Sequence, residues 1–188
     1  MTTKRILVID DEESLRFTFQ AFLEGAGFTV ETASTFEEGE NSLAEKSYDL
    51  VFLDIMLGRQ SGLDLLRQLH ARHISTPVVM ITGAPEVETA AEAVRYGAYD
   101  YISKPILQKT LLRLARMALR HKAVLDQRER YRSHLDAIFR SAREGILQVD
   151  RELQVLECNA SALRLLCPTV RSQVTSLYDF SETCSSTL

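Results

Sequence analysis

Asp10, Asp11, Asp54, Thr82 and Lys104 are the residues whose types and placement could do chemistry together, because each stands at or just after the end of a short apolar run. The runs are Ile6–Asp10, Leu50–Asp54, Val78–Thr82 and Tyr101–Lys104. Such runs suit strands of a parallel sheet whose two faces are covered by crossover helices. All C-terminal strand ends then share one edge, so three carboxylates, a hydroxyl and an ammonium converge on one rim, where open α/β folds place their ligands. A carboxylate acting as phosphoryl acceptor needs a cation, hydrogen-bond donors for developing charge and in-line positioning. Asp54, backed by Leu50 to Leu53 and expected to be exposed at the rim, is the candidate nucleophile. Side by side, Asp10, Asp11 and Asp54 would repel one another unless a divalent ion shared them. Magnesium, which bridges carboxylates to phosphate through oxygen ligands, fits that role. Lys104 offers a compact cation to phosphoryl oxygens. Thr82 offers a hydroxyl, and Gly83 and Ala84 beside it leave room.

The elements that must position these groups follow from periodicity. Ser14 to Ala26 reads as a helix with Leu15, Phe19, Phe22 and Leu23 on one stripe, ending at Gly27. Phe28 to Ala33 reads as a strand. Thr35 and Glu38 form a capping-box pattern that opens a helix to about Lys46. Asp49 starts the third strand, and Gly62 to about Arg72 supplies a helix with Leu63, Leu65, Leu66 and Leu69 inward. Pro77 marks entry to the fourth strand. Pro85 to Tyr96 is the next helix, capped by Gly97, and Pro105 stands where a fifth should begin. Strand alternating with helix predicts a doubly wound α/β fold with five parallel strands and right-handed crossovers.

Beyond Leu119 charge of both signs becomes dense without Gly or Pro, so the fifth helix is expected to continue as a rod. Met117, Val124, Tyr131 and Ile138 recur every seven residues with Leu135 beside them, diluted by His121 and Arg128. That pattern fits either a short coiled-coil seam between two chains, through residues 117–138, or an amphipathic spacer docked on its own domain. From Gly145 the pattern becomes two strands, Ile146–Asp150 and Gln154–Asn159, then a helix from Ala160 to Leu166. The tail from Ser172 to Leu188 lacks periodicity.

Residues from about Lys4 to Leu119 resemble the receiver domain of two-component response regulators. The resemblance rests on Asp10-Asp11, Asp54, Thr82 and the Tyr101-Ile102-Ser103-Lys104-Pro105 segment, in that order. It implies a flavodoxin-like sheet of order 2-1-3-4-5 and phosphorylation of Asp54 by a histidine kinase or phosphotransfer protein. It further implies Mg2+ held by Asp11, Asp54 and the Met56 backbone carbonyl, with Asp10 acting largely through water, and a switch in which Thr82 moves toward the phosphoryl group while Tyr101 rotates. The implied role is that of a regulatory phosphoacceptor rather than an enzyme, with transcriptional control through its own output domain as the expected outcome. A receiver module of a hybrid sensor histidine kinase is the alternative. Gly58 departs from the proline common four residues after the acceptor. A second resemblance, carried by His134–Phe139, Glu144–Asp150 and Glu157–Ala162, is to the opening of a PAS domain. The expected organisation is a receiver over 1–120, a helical linker over 121–141 and an incomplete PAS-like segment over 142–188, a piece of a longer regulator.

Other chemistries fit less well. An aspartyl-phosphate hydrolase of the haloacid dehalogenase type wants a second Asp two residues after the nucleophile, where Met56 stands. A flavodoxin wants a first loop rich in Gly, Ser and Thr, whereas Asp10 to Glu13 would repel a phosphate. A net charge of −4 over 188 residues gives no basic bias toward nucleic acid. No apolar run reaches the roughly 18 residues of a membrane span. Met1 to Arg5 leads directly into a strand rather than a signal peptide, so a cytoplasmic location is expected. Cys158, Cys167 and Cys184, like His70, His73, His121 and His134, show no metal-ligand spacing.

Overall fold

The computed structural model describes residues 3–72, 74–151 and 155–166. His73, Cys167, Cys184 and the tail from Ser172 therefore lie outside the described residues. The chain divides into two compact units, Met1–Asp126 and Gln127–Leu188.

In chain order the first unit contains β1 (Arg5–Ile9), α1 (Glu13–Gly25), β2 (Thr29–Ala33), α2 (Phe36–Glu45) and β3 (Leu50–Asp54). A two-residue-stranded hairpin follows, β4 (Met56–Leu57) and β5 (Gln60–Ser61), then α3 (Gly62–Ala71), β6 (Val78–Thr82), α4 (Val87–Arg95) and β7 (Asp100–Ser103). The last helix, α5 (Gln108–Ser141), is the continuous rod expected from the sequence and runs on into the second unit. The five strands β2-β1-β3-β6-β7 pair in parallel in that order. This is the flavodoxin-like order implied by the resemblance.

Alternate residues of each central strand serve opposite faces. Leu7, Ile9, Val51, Leu53 and Met80 pack with Phe36, Leu63, Leu66 and Leu69 on one side. Ile6, Val8, Leu50, Phe52, Val79 and Ile81 pack with Phe19, Leu23, Leu111 and Ala115 on the other. Because both faces are covered, β1, β3 and β6 carry no alternating polar positions. The edge strand β7 differs from the expected double burial: its residues are half-buried or exposed, having a neighbour strand on one side only.

Two helix starts lie later than the prolines suggested. α4 begins at Val87, because the Thr82 hydroxyl accepts from the Ala84 amide (3.1 Å) and holds the chain before Pro85 in a local turn. α5 begins at Gln108 rather than Pro105, its first hydrogen bonds running from Thr110 and Leu111 to the Leu107 carbonyl. The Lys104–Pro105 peptide is cis. The capping of α2 also differs in detail. Thr35 accepts from the Glu38 amide as expected, but the Glu38 carboxylate reaches back to the Ser34 amide and hydroxyl at 2.7 and 2.8 Å instead of to Thr35.

In the second unit β8 (Leu147–Val149) and β9 (Val155–Cys158) form an antiparallel hairpin before α6 (Ala160–Leu166). Buried Asn159 organises this stretch. Its Oδ1 accepts from the Ile146 amide (3.0 Å) and the Ala162 amide (2.8 Å), and its Nδ2 donates to the Glu144 carbonyl (2.8 Å), so one side chain caps α6 and fixes the entry to β8.

Gly62 sets how closely α3 approaches the end of β3: a Cβ there would overlap the Asp54 carbonyl oxygen. Gly62→Ala is therefore expected to destabilise the first unit by about 2–3 kcal/mol. Urea denaturation checks this, and an unchanged midpoint would contradict the packing described.

Candidate functional site

The strand order brings Asp10, Asp11, Asp54, Thr82 and Lys104 to one edge, as the sequence predicted. Asp10 follows β1, Asp54 ends β3, Thr82 ends β6 and Lys104 follows β7. Asp10, Asp11 and Asp54 each offer a carboxylate oxygen, all lying within 4.8 Å of one another. The Lys104 ammonium stands 2.8 Å from Asp54 Oδ2 and 2.9 Å from Asp10 Oδ2. Glu12 is the outlying acid of the group, 3.9 Å from the same ammonium.

One expectation needs correction. Asp54 is 3% exposed rather than open at the rim. It is the last residue of the central strand, and Lys104 crosses over it while the β4–β5 hairpin rises beside it. Its two oxygens are both engaged: the Met56 amide donates to Oδ1 (3.2 Å) and Lys104 donates to Oδ2 (2.8 Å). A carboxylate held from both sides in this way has one orientation, which in-line attack requires.

Asp10 is fully buried. The Glu12 amide donates to its Oδ1 (2.9 Å), and the Arg16 guanidinium donates to its backbone carbonyl (2.6 Å). Its Oδ2, although close to Lys104, accepts no well-directed hydrogen bond. Burial pushes the Asp10 carboxyl up to about 6; the Lys104 ammonium and the Glu12 amide pull it down, and the charge of Asp54 adds to the rise. Burial works against the charged Lys104, but the hydrogen bond to Asp54 and the close Asp10 carboxylate outweigh it and leave its pKa above the ordinary lysine value. Three carboxylates that offer hard oxygen donors within 4.8 Å of one another fit a magnesium ion.

Other predicted residues have local partners. The Thr82 hydroxyl donates to the Ala84 carbonyl (3.0 Å) while accepting from the Ala84 amide. Half-buried Tyr101 packs beside the α2–α4 core, its hydroxyl 3.0 Å from Thr89 Oγ1 on α4. Met56 exposes 63% of its surface at the mouth of the site. His70 stacks edge-on against Tyr96, His121 leans on the Tyr99 ring, and His134 lies exposed on α5. Sequence reasoning missed Arg16 and the Gly58 amide, which donates to Asp11 Oδ2 (3.1 Å). Neither carries a signal in spacing, since one acts on a main-chain carbonyl and the other through its own main chain.

Comparison with known proteins agrees with this geometry. Residues 6–116 match the response regulator receiver domain family. The chain belongs to that family. It is 33% identical to the alginate biosynthesis transcriptional regulatory protein AlgB of Pseudomonas aeruginosa, over 82% of this chain and 36% of AlgB. It is 28% identical to the cell cycle transcriptional regulator CtrA of Caulobacter vibrioides, over 86% of this chain and 64% of CtrA. The chain thus spans about a third of the length of AlgB. Among solved structures, NtrX from Brucella abortus superposes with a TM-score of 0.63 at 35% identity, covering 68% of this chain and 30% of NtrX. A CheY-like receiver domain protein from Methanospirillum hungatei superposes with a TM-score of 0.63 at 30% identity, covering 65% of this chain and 98% of that protein. Receivers are regulatory phosphoacceptors rather than enzymes, and they bind Mg2+ at an acidic pocket. No helix among the described residues is long and apolar enough to cross a membrane.

The Asp10 position carries a pH dependence whose sign is fixed by burial. The unfolded chain releases this proton near 3.8 and the folded chain holds it to about 6, so metal-free stability contributed by this group falls as pH rises between them. Without Mg2+, Asp10→Asn is expected to be more stable than wild type above pH 6, by about 3 kcal/mol, and the two curves to converge below pH 4. Chemical denaturation across this range measures the difference. A parallel pair of curves would contradict the assignment.

Proposed function

We infer that this receiver accepts a phosphoryl group on Asp54 from the phosphohistidine of a histidine kinase or phosphotransfer protein and thereby switches an attached output domain, with transcriptional control as the output. The observation that carries this reading is the doubly held Asp54 carboxylate inside a nest of acids that an ammonium partly neutralises. Asp11, Asp54 and the Met56 carbonyl would hold Mg2+, with Asp10 acting through water. The ion would supply charge neutralisation at the donor and acceptor oxygens. Lys104, already on Asp54, is poised to follow the charge onto a phosphoryl oxygen.

Switching has local hydrogen bonds to exchange. Thr82 would give up the Ala84 carbonyl to donate to the phosphoryl group. Tyr101 would give up Thr89 on turning inward, releasing one tie between β7 and α4. New charge at Asp54 thus biases an element with two alternative arrangements. The names of AlgB and CtrA as transcriptional regulators support the proposed output.

The linker and second unit extend the reading. Val124, Tyr131, Leu135 and Ile138 are exposed along α5, as is Met117, which supports a seam between two chains. The hairpin and the Asn159-capped helix support the opening of a PAS domain. In light scattering the protein is expected to dimerise in at least one phosphorylation state; monomers in both at high concentration would remove the seam.

Acetyl phosphate with Mg2+ is expected to label the wild-type chain and to leave Asp54→Ala unlabelled. Equal labelling of the variant would overturn the assignment of the acceptor. Met56, two residues past Asp54, presents an apolar side chain where a polar one could orient a hydrolytic water. The acyl phosphate is accordingly expected to persist for minutes or longer, and decay within seconds without a phosphatase would contradict the role given to Met56.

A further inference from the structure

We propose that the main-chain amide of Gly58 is a positioning group for the metal site, holding the Asp11 carboxylate toward Asp10 and Asp54. This rests on the reading of the three acids as a Mg2+ site. Asp11 is the exposed member of the trio, on the loop after β1, where its side chain has no core to fix its orientation. Gly58 comes from a different element, the turn of the β4–β5 hairpin immediately after Asp54, and its N–H donates to Asp11 Oδ2 at 3.1 Å. A carboxylate has acceptor capacity to spare: Oδ2 takes the amide and Oδ1 stays available for a cation. The same hairpin carries the Met56 amide that orients Asp54. One short strap therefore fixes two of the three acids through main-chain donors, which is preorganisation at the cost of no additional charge.

The turn is built for this donor. Gly58 has φ of +62°, a conformation in which glycine pays no side-chain penalty, and a Cβ there would meet open space. Asn tolerates this region and keeps the N–H. Proline cannot adopt it and has no N–H to give. The sequence departure at Gly58 thus adds a hydrogen bond that a proline at the same place could not make.

Calorimetric titration of the full chain with MgCl2 tests the proposal. Gly58→Asn is expected to bind within about twofold of wild type and Gly58→Pro about five- to tenfold more weakly, the loss of one solvent-exposed hydrogen bond. A Gly58→Pro protein that binds as tightly as wild type would overturn it. Hydrogen exchange of the Gly58 amide in the wild-type chain gives an arm independent of mutant folding: protection is expected, and exchange at the rate of an open turn refutes the bond. Absence of Mg2+ uptake by the wild type would instead defeat the metal reading on which the proposal rests.

Discussion

The crowding of the Asp10 and Asp54 carboxylates around the Lys104 ammonium is the constraint on which the rest of the site depends. At separations near 3 Å, opposite unit charges attract by several kcal/mol even at an effective dielectric of about 20, and like charges 4–5 Å apart repel by a comparable amount. One lysine cannot balance three aspartates, so the nest retains an excess of negative charge. A divalent cation is the species whose charge matches that excess, and a phosphoryl group bound with it would arrive at a site already provided with an ammonium.

The fold serves this crowding. Leu50 to Leu53 are buried on both sheet faces, so the backbone that carries Asp54 has no freedom to move its carboxylate away from its neighbours. Arg16 holds the Asp10 carbonyl and Gly62 lets α3 close against the Asp54 carbonyl. The burial that makes the acceptor rigid also raises the proton affinity of Asp10, so rigidity and electrostatic strain have one cause. At the rim, the Thr82 hydroxyl is held by hydrogen bonds to Ala84 alone and the Tyr101 hydroxyl by one to Thr89, which are inexpensive to exchange, and this is where movement can be tolerated.

Much of this was legible in the residues. Continuous apolar runs such as Leu50 to Leu53 mark strands covered on both sides, and their polar terminators necessarily share an edge. The order of elements and the convergence of Asp10, Asp54, Thr82 and Lys104 followed. Periodicity could not report the burial of Asp54, because that depends on Lys104 crossing from β7 and on a hairpin between β3 and α3 whose strands are two residues long. The start of α5 was misplaced at Pro105 because proline favours a first helical position but does not require one; the helix's first carbonyl acceptor is that of Leu107. Main-chain donors such as the Gly58 amide leave no trace in side-chain chemistry, so only the folded structure reveals them.

The most direct test of the central claim is the melting temperature of the full chain in MgCl2 against NaCl of matched ionic strength. If a charge-crowded nest awaits a divalent ion, Mg2+ should raise the melting temperature along a saturating curve that NaCl does not reproduce. Superimposable curves in the two salts would contradict the account.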